Sequence, residues 1–283
     1  MITRRIFVRN VLGSAFAGLC SARAGLAGDR SSGRISKLGL QLYTVRKELE
    51  KDFEGTLGKV AAIGYKEVEF AGYFNRAPGQ VKAILNRNGL SAPSAHVTLK
   101  TIKEDFGSAI ETAKAIGHHY LILAYLLAEE RTSLDDYKRL ADTLNRAGEE
   151  CKKVGLQFGY HNHDFEFQAM RGEVPYELLL KETDATLVKM ELDLYWIAKA
   201  GQQPEKYFGQ YPGRFELFHV KDMDNTPRHF FTEAGRGVID FKRIFARSEQ
   251  AGVKHYFVEQ DETPGSPYDS IRVSFDYLRR LRF

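Results

Sequence analysis

Eight short apolar strands, each alternating with a helix, place residues 35–283 in the α/β class as a single (β/α)8 TIM barrel. Helical stretches repeatedly stop at glycine, and a strand begins within a few residues, as short αβ connections require. The strands end in His, Asp or Glu, and strand ends are where a barrel carries its active site. No Gly-rich phosphate loop opens a helix and no low-complexity linker divides the chain. Both facts weigh against a doubly wound open sheet and against a second domain.

The elements follow in chain order. A Ser/Gly-rich joint over residues 25–34 leads to the first strand, 38–43. A helix closing at Gly64 precedes strand two, 67–70, and another closing at Gly89 precedes strand three, 91–97. Gly117 ends the helix before strand four, 120–124, and Gly155 ends the helix before strand five, 157–163. Strands six (187–193) and seven (215–220) fill the interval before Gly252, after which strand eight runs over 255–259. Each glycine stands where a helix needs a left-handed residue to stop.

Residues 1–24 differ from the rest. Arg4, Arg5 and Arg9 open a basic segment, residues 11–19 are small and apolar, and Ala22-Arg23-Ala24 offers the small side chains a signal peptidase reads. Paired arginines before Ile6-Phe7 predict a twin-arginine signal and a periplasmic or secreted protein. A short membrane anchor is the alternative, although the run falls below the roughly 18–20 apolar residues of a span. Cys20 does not predict a lipoprotein, because Leu19 is too bulky to precede a lipidated cysteine.

Losing residues 1–24 removes four arginines and no acid, so the formal charge falls from +4 to about zero. The remaining chain has no net positive field for nucleic acid. Cys151 becomes the only thiol, which rules out an intramolecular disulfide. Twin-arginine substrates cross the membrane folded, so a metal could be loaded in the cytoplasm, where availability favours the right ion.

The strand ends carry the chemistry. They read Gln41-Leu-Tyr43, Glu67-Val-Glu69, His96, Tyr160-His-Asn-His163, Glu191-Leu-Asp193, His219-Val-Lys221-Asp222 and Glu259-Gln-Asp261; strand four, near Ala124-Tyr125, offers no ligand. Side chains two apart share a face, so His161 and His163, Glu191 and Asp193, and His219 and Lys221 point the same way. Any one such residue reads as a loop cap, but six of eight strands ending in His, Asp or Glu read as a site. Imidazole and carboxylate without thiolate suit Mn, Mg, Co or Zn. Such an ion on a sugar would polarise a carbonyl, with a nearby carboxylate taking the adjacent proton.

At these residues the chain resembles the xylose-isomerase-like TIM barrel superfamily of sugar phosphate isomerases and epimerases. The resemblance rests on residues 38–43, 64–70, 160–167, 191–196, 219–222, 235–241 and 258–261, and covers nearly all of the chain after the signal. In its ketose 3-epimerases, strands five to eight give the metal Glu, Asp, His and Glu. Carried over, Asp193, His219 and Glu259 match, while the strand-five glutamate falls on His161, with His163 on the same face as its alternative. That departure argues against two-base epimerisation, as does Trp196 where epimerases carry a histidine. Histidine at strand five is similar to inosose dehydratases and to relatives that eliminate across 3-keto sugars. The implied metal set is His161, Asp193, His219 and Glu259, with Glu259 as base and Lys221 or His163 as proton donor.

Substrate contacts are expected from Gln41, Tyr43, Glu69, His96, Trp196 and Asp261. Tyr195 and Trp196 read either as a wall for a sugar ring or as core, Glu69 as a contact for a substrate hydroxyl or a buried ion pair, and His96 as a pocket or a structural residue. His118 and His119 follow a helix end on the stability face and read as structural. Residues 225–237, with Arg228 and Arg236, read as a long loop, either a lid or plain surface. The function expected first is an exported metal-dependent sugar isomerase or epimerase. A lyase, dehydratase or hydratase on 3-keto-sugars, 3-keto-glycosides or inosose comes next, and a non-catalytic sugar-binding protein last. A repair endonuclease on this barrel would need a basic groove that the near-zero charge denies. The expected partner is a small sugar, with no nucleic acid and no membrane after signal removal; a homo-oligomer stays open.

Overall fold

The computed structural model describes residues 33–283. The expected signal over 1–24 and most of the 25–34 joint lie outside the described residues. Barrel strands are β1 (Gly39–Gln41), β2 (Glu67–Phe70), β3 (Ser91–Val97), β4 (Tyr120–Leu123), β5 (Gln157–His161), β6 (Val188–Asp193) and β7 (Leu217–Val220). A small pair, β8 (Asp222–Met223) and β9 (Phe231–Thr232), precedes the last barrel strand, β10 (His255–Val258). The barrel is closed and parallel, in the order β1-β10-β7-β6-β5-β4-β3-β2. The single (β/α)8 barrel is therefore the fold.

Helix ends follow the sequence logic. The 20-residue helix Leu134–Lys153 starts where Ser133 accepts from Asp136 N, and buries Tyr137, Leu140, Ala141, Leu144, Ala147, Gly148 and Cys151. Those positions recur at three and four residues, one stripe of a 3.6-residue helix. Gly148 is required by close approach, since a Cβ there would stand 2.7 Å from Leu187 O. Burial, aided by Glu150, pushes the Cys151 thiol up to about 12, and it packs as a small hydrophobe. Gly117 ends its helix at φ 101°, a left-handed conformation that side chains rarely adopt.

Alternation divides the barrel interior into levels. Tyr120, Ile122, Leu217 and Phe257 form a separate apolar plug inside the barrel, while Leu121, Phe158, Val188, Phe218 and Val258 pack outward in the main core beneath the helices. Below the plug lie polar pairs: His255 Nδ1 is 2.8 Å from Glu67 Oε2, and Tyr120 Oη donates to Glu216 Oε2 at 2.7 Å. Above it stand the residues of the candidate site. The plug separates the two polar levels, so the lower one belongs to stability and the upper one to chemistry.

Most strands differ from the sequence reading by one or two residues at an end, and three differences bear on the site. The first strand stops at Gln41, because the Gln41 side chain accepts from Tyr43 N and opens a short 3-10 turn over Leu42–Val45. The fifth stops at His161, so His163 sits on the following loop. Residues 225–237 are not an unstructured loop: β8 and β9 pair antiparallel within the 222–237 stretch. Asp222 organises it from beneath, accepting from the backbone N–H of Met223, Gly235, Gly237 and Ile239 at 2.8–3.1 Å. His118 is buried, with Nδ1 2.6 Å from Ala92 O and Nε2 3.0 Å from Tyr73 Oη, a structural arrangement. No helix among the described residues is long and apolar enough to cross a membrane.

Candidate functional site

Strand register brings the strand-end residues to one level. His161 stands beside Glu191 across β5 and β6, and Asp193 beside His219 across β6 and β7. His161 Nε2 lies 3.8 Å from Asp193 Oδ2, and His219 Nδ1 lies 3.9 Å from that oxygen and 3.0 Å from Glu259 Oε2. His161, Asp193, His219 and Glu259, all buried, offer ligand atoms within 4.8 Å of one another.

Local structure aims Asp193. It caps the helix Leu194–Lys199, with Oδ1 accepting from Tyr195 N at 2.8 Å and Trp196 N at 3.1 Å. Oδ2 is thereby left pointing inward and buried, with no hydrogen bond and only the Lys221 ammonium 3.1 Å away. A buried oxygen without a hydrogen bond leaves a coordination position open to an ion or water. Ligand atoms at bonds of about 2.1 Å from a four-coordinate ion stand about 3–3.5 Å apart, close to the spacings here. Two imidazoles and two carboxylates without thiolate suit Mn, Mg, Co or Zn. The residues present fit a divalent metal.

Both imidazoles give their other nitrogen to a deeper carboxylate. His161 Nδ1 is 3.1 Å from Glu191 Oε2; His219 Nε2 is 2.6 Å from Glu69 Oε2 and 3.2 Å from Glu191 Oε2. His96 Nε2 reaches the same Glu191 oxygen at 2.7 Å. Three imidazoles thus converge on one oxygen, an arrangement that fixes ring orientation and raises the basicity of metal-ligating histidine. His96, His161, Glu191 and His219 also lie within metal-binding reach of one another. Their 2.7–3.2 Å contacts to a single oxygen make that group a hydrogen-bonded hub.

Lys221 is the third component. Its buried Nζ stands 2.7 Å from Asp261 Oδ1, 2.8 Å from Glu259 Oε2 and 3.1 Å from Asp193 Oδ2. Burial opposes its charge, but Asp193, Asp261 and Glu259 together hold it well above the usual lysine range, as an ammonium. Burial likewise opposes ionisation of Glu259, yet Lys221 and His219 hold it well below the usual carboxylate range. For Asp193 burial wins over Lys221 and His219, and its carboxyl rises to about 6. Burial, reinforced by Lys221, pushes His163 down to about 3, so it is neutral.

A cleft of about 670 Å³ opens above these groups. His161, Glu259, Lys221 and Asp261 line it, as do Tyr43, His96, His163 and Trp196. Gln41 and Glu69 are corrected: they lie fully buried, off the cleft wall, and are not placed to touch substrate. Gln41 Nε2 donates to Glu69 Oε2 at 2.8 Å, Ser94 Oγ donates to Glu69 Oε1, and the pair steadies His219. Alternation showed that both point inward but not how deep. His96 keeps 11% side-chain exposure on the wall while bound to the hub; burial opposes its charge, but Glu69 and Glu191 raise it to about 10. Tyr195 is buried behind the wall, donating to His229 O at 2.7 Å, and only Trp196 faces the cleft.

The cleft also takes Tyr125 and Arg131, and with them Asp164 and Phe165, which lie in the 160–167 stretch but had no site role in the sequence reading. A search for ligand-type residues at strand ends does not register an aromatic after β4 or an arginine on the next loop. The available signals were Tyr125 just beyond an apolar strand and the 160–167 motif that holds Asp164 and Phe165.

The family model described as Xylose isomerase-like TIM barrel matches residues 57–281. The crystal structure of a sugar phosphate isomerase/epimerase from Parabacteroides distasonis is 28% identical, with a TM-score of 0.74 over 91% of this chain and 97% of that one. The inosose dehydratase of Geobacillus kaustophilus is 24% identical, over 80% of this chain and 86% of its own. The IOLI protein, solved with a zinc atom, shares the fold at 14% identity and a TM-score of 0.68, over 85% of this chain and 95% of its own. The chain belongs to the xylose isomerase-like TIM barrel family.

Proposed function

We propose that this member of the xylose isomerase-like barrel family is a metal-dependent lyase that removes water from a cyclic polyhydroxylated ketone, a 3-keto sugar or an inosose. The observation that carries the reading is His161. Two-base epimerisation needs a base on each face of the substrate; on the β5 side His161 has Nδ1 engaged by Glu191 and its other nitrogen among the candidate metal ligands, and His163, pushed by burial down to about 3, is only a weak base. Ionised carboxylate and ammonium lie together on the opposite side, at Glu259 and Lys221. The likeness to an inosose dehydratase supports the same choice.

A divalent ion on His161, Asp193, His219 and Glu259 would supply Lewis-acid polarisation of the ketone. Glu259 accepts the proton from the carbon beside the carbonyl. Lys221 delivers a proton to the hydroxyl on the next carbon, whose C–O bond breaks as the C=C bond forms, and water leaves. Asp193 and Asp261 hold the ammonium in place, and Trp196 offers its ring to the C–H face of the sugar. Incubated with scyllo-inosose or 3-keto-glucose, the metal-loaded protein is expected to yield an unsaturated product lighter by one water, seen by ultraviolet absorbance and mass. An isomer or epimer that keeps every oxygen would overturn the lyase reading in favour of an isomerase.

The reading extends to location. The paired arginines and the small-residue site of residues 1–24 support an exported enzyme acting on unphosphorylated sugars. A folded fluorescent reporter fused behind residues 1–34 is expected in the periplasm. Changing Arg4 and Arg5 to Lys should keep it in the cytoplasm; export that ignores this change would contradict twin-arginine transport.

A further inference from the structure

We infer that the outer half of the cleft is a second ring-binding site, shaped for the aglycone of a glycoside. The inference rests on the sugar-ketone reading and names the form in which the substrate arrives. A six-carbon ring ketone of about twelve heavy atoms fills on the order of 200 Å³, whereas ligand clefts run from about 300 Å³ upward. The cleft here measures about 670 Å³. One ring over Glu259 and Lys221, against Trp196, leaves more than half of it open.

That remaining space is bounded by rings and a guanidinium. Tyr125, two residues after β4, keeps 44% exposure. It is held edge-on to His163 and Phe165, with ring centroids 4.8 and 5.7 Å away. Arg131 lies 3.6 Å over the Phe165 ring, and its Nε donates to Leu126 O at 3.2 Å. One face of its guanidinium is covered by Phe165, and the group lines the cleft. Tyr43, on the rim after β1, keeps 43% exposure with Arg46 packed 3.9 Å over its ring.

Two pinned tyrosines left half in water are poor surface and good platform. Aromatic and guanidinium planes recognise a flat ring or a C–H face through dispersion and cation–π attraction. A free monosaccharide would leave this platform empty; a glycosidic oxygen would carry a second ring onto it.

Trp196 is the only tryptophan in the chain and lines the cleft, so its fluorescence reports occupancy. The full chain, loaded with Mg, is titrated with methyl and phenyl β-D-glucopyranoside. The phenyl glucoside is expected to bind at least about fivefold tighter, the effect of one added aromatic pair. That ratio should fall to within about twofold in Tyr125→Ala and survive in Tyr125→Phe; because it is a ratio, a general loss of binding does not mimic it. Cellobiose binding like the phenyl glucoside would make the second ring a sugar, and cellobiose binding like the methyl glucoside would make it an aryl group. Equal affinities for the two glucosides, or a ratio unchanged in Tyr125→Ala, would overturn the inference and leave the lyase reading standing. Silence towards both glucosides and towards scyllo-inosose would remove the sugar reading and the second site with it.

Discussion

In Lys221→Met, elimination from a cyclic ketone substrate should fall about 10²- to 10⁴-fold, the usual worth of a positioned proton donor. Solvent deuterium should still enter the carbon beside the carbonyl, because Glu259 keeps its place as base. The two readouts part company only if Lys221 acts on the leaving hydroxyl. A merely structural lysine would lower both together. Metal affinity should hold or rise, since the variant removes a cation that stands 3.1 Å from Asp193 and 2.8 Å from Glu259. Without metal the variant should be unstable, by about 3–5 kcal/mol, because buried carboxylates lose their partner. Isotope incorporation by mass spectrometry and urea titration with and without metal separate these outcomes. Exchange lost in step with elimination would assign Lys221 to the frame of the site.

Glu191→Ala carries the second large effect, although Glu191 does not line the cleft. Its Oε2 receives His96, His161 and His219 at 2.7, 3.1 and 3.2 Å. Removing it frees two ligating imidazoles to rotate, and loss of such a supporting carboxylate costs about 10- to 100-fold in metal affinity. Competition with a chelating dye should show that loss, while Glu191→Gln, which keeps an oxygen acceptor, should recover part of it. Metal binding unchanged in both variants would mean that Glu69 alone sets the histidine rings.

Much of this architecture could be read from the chain because barrel chemistry is periodic. Strands at 67–70 and 91–97 stand where the alternation put them, and the glycine-ended helices before them follow one local rule. Convergence of His161, Asp193, His219 and Glu259 follows from inward alternation on neighbouring strands plus register. Depth along the barrel axis was not legible. Gln41 and Glu69 point inward like the site residues but stop below the cleft floor, where Gln41 binds Glu69 and Glu69 binds His219 rather than substrate. Tyr125 and Arg131 were missed for another reason: their role comes from packing against Phe165 across two loops, which no spacing encodes. Asp222 was read as a strand-end acid, yet its four backbone hydrogen bonds build the β8–β9 pair.

The measurement closest to the central claim is a crystal structure of the Mn- or Zn-loaded protein with the ion located by its anomalous scattering. The account predicts one ion bonded by His161 Nε2, Asp193 Oδ2, His219 Nδ1 and Glu259, at about 2.0–2.2 Å, with Glu191 hydrogen-bonded behind the histidines. An ion seated instead among His96, His161, Glu191 and His219, or no ion between β5 and β10, would contradict it.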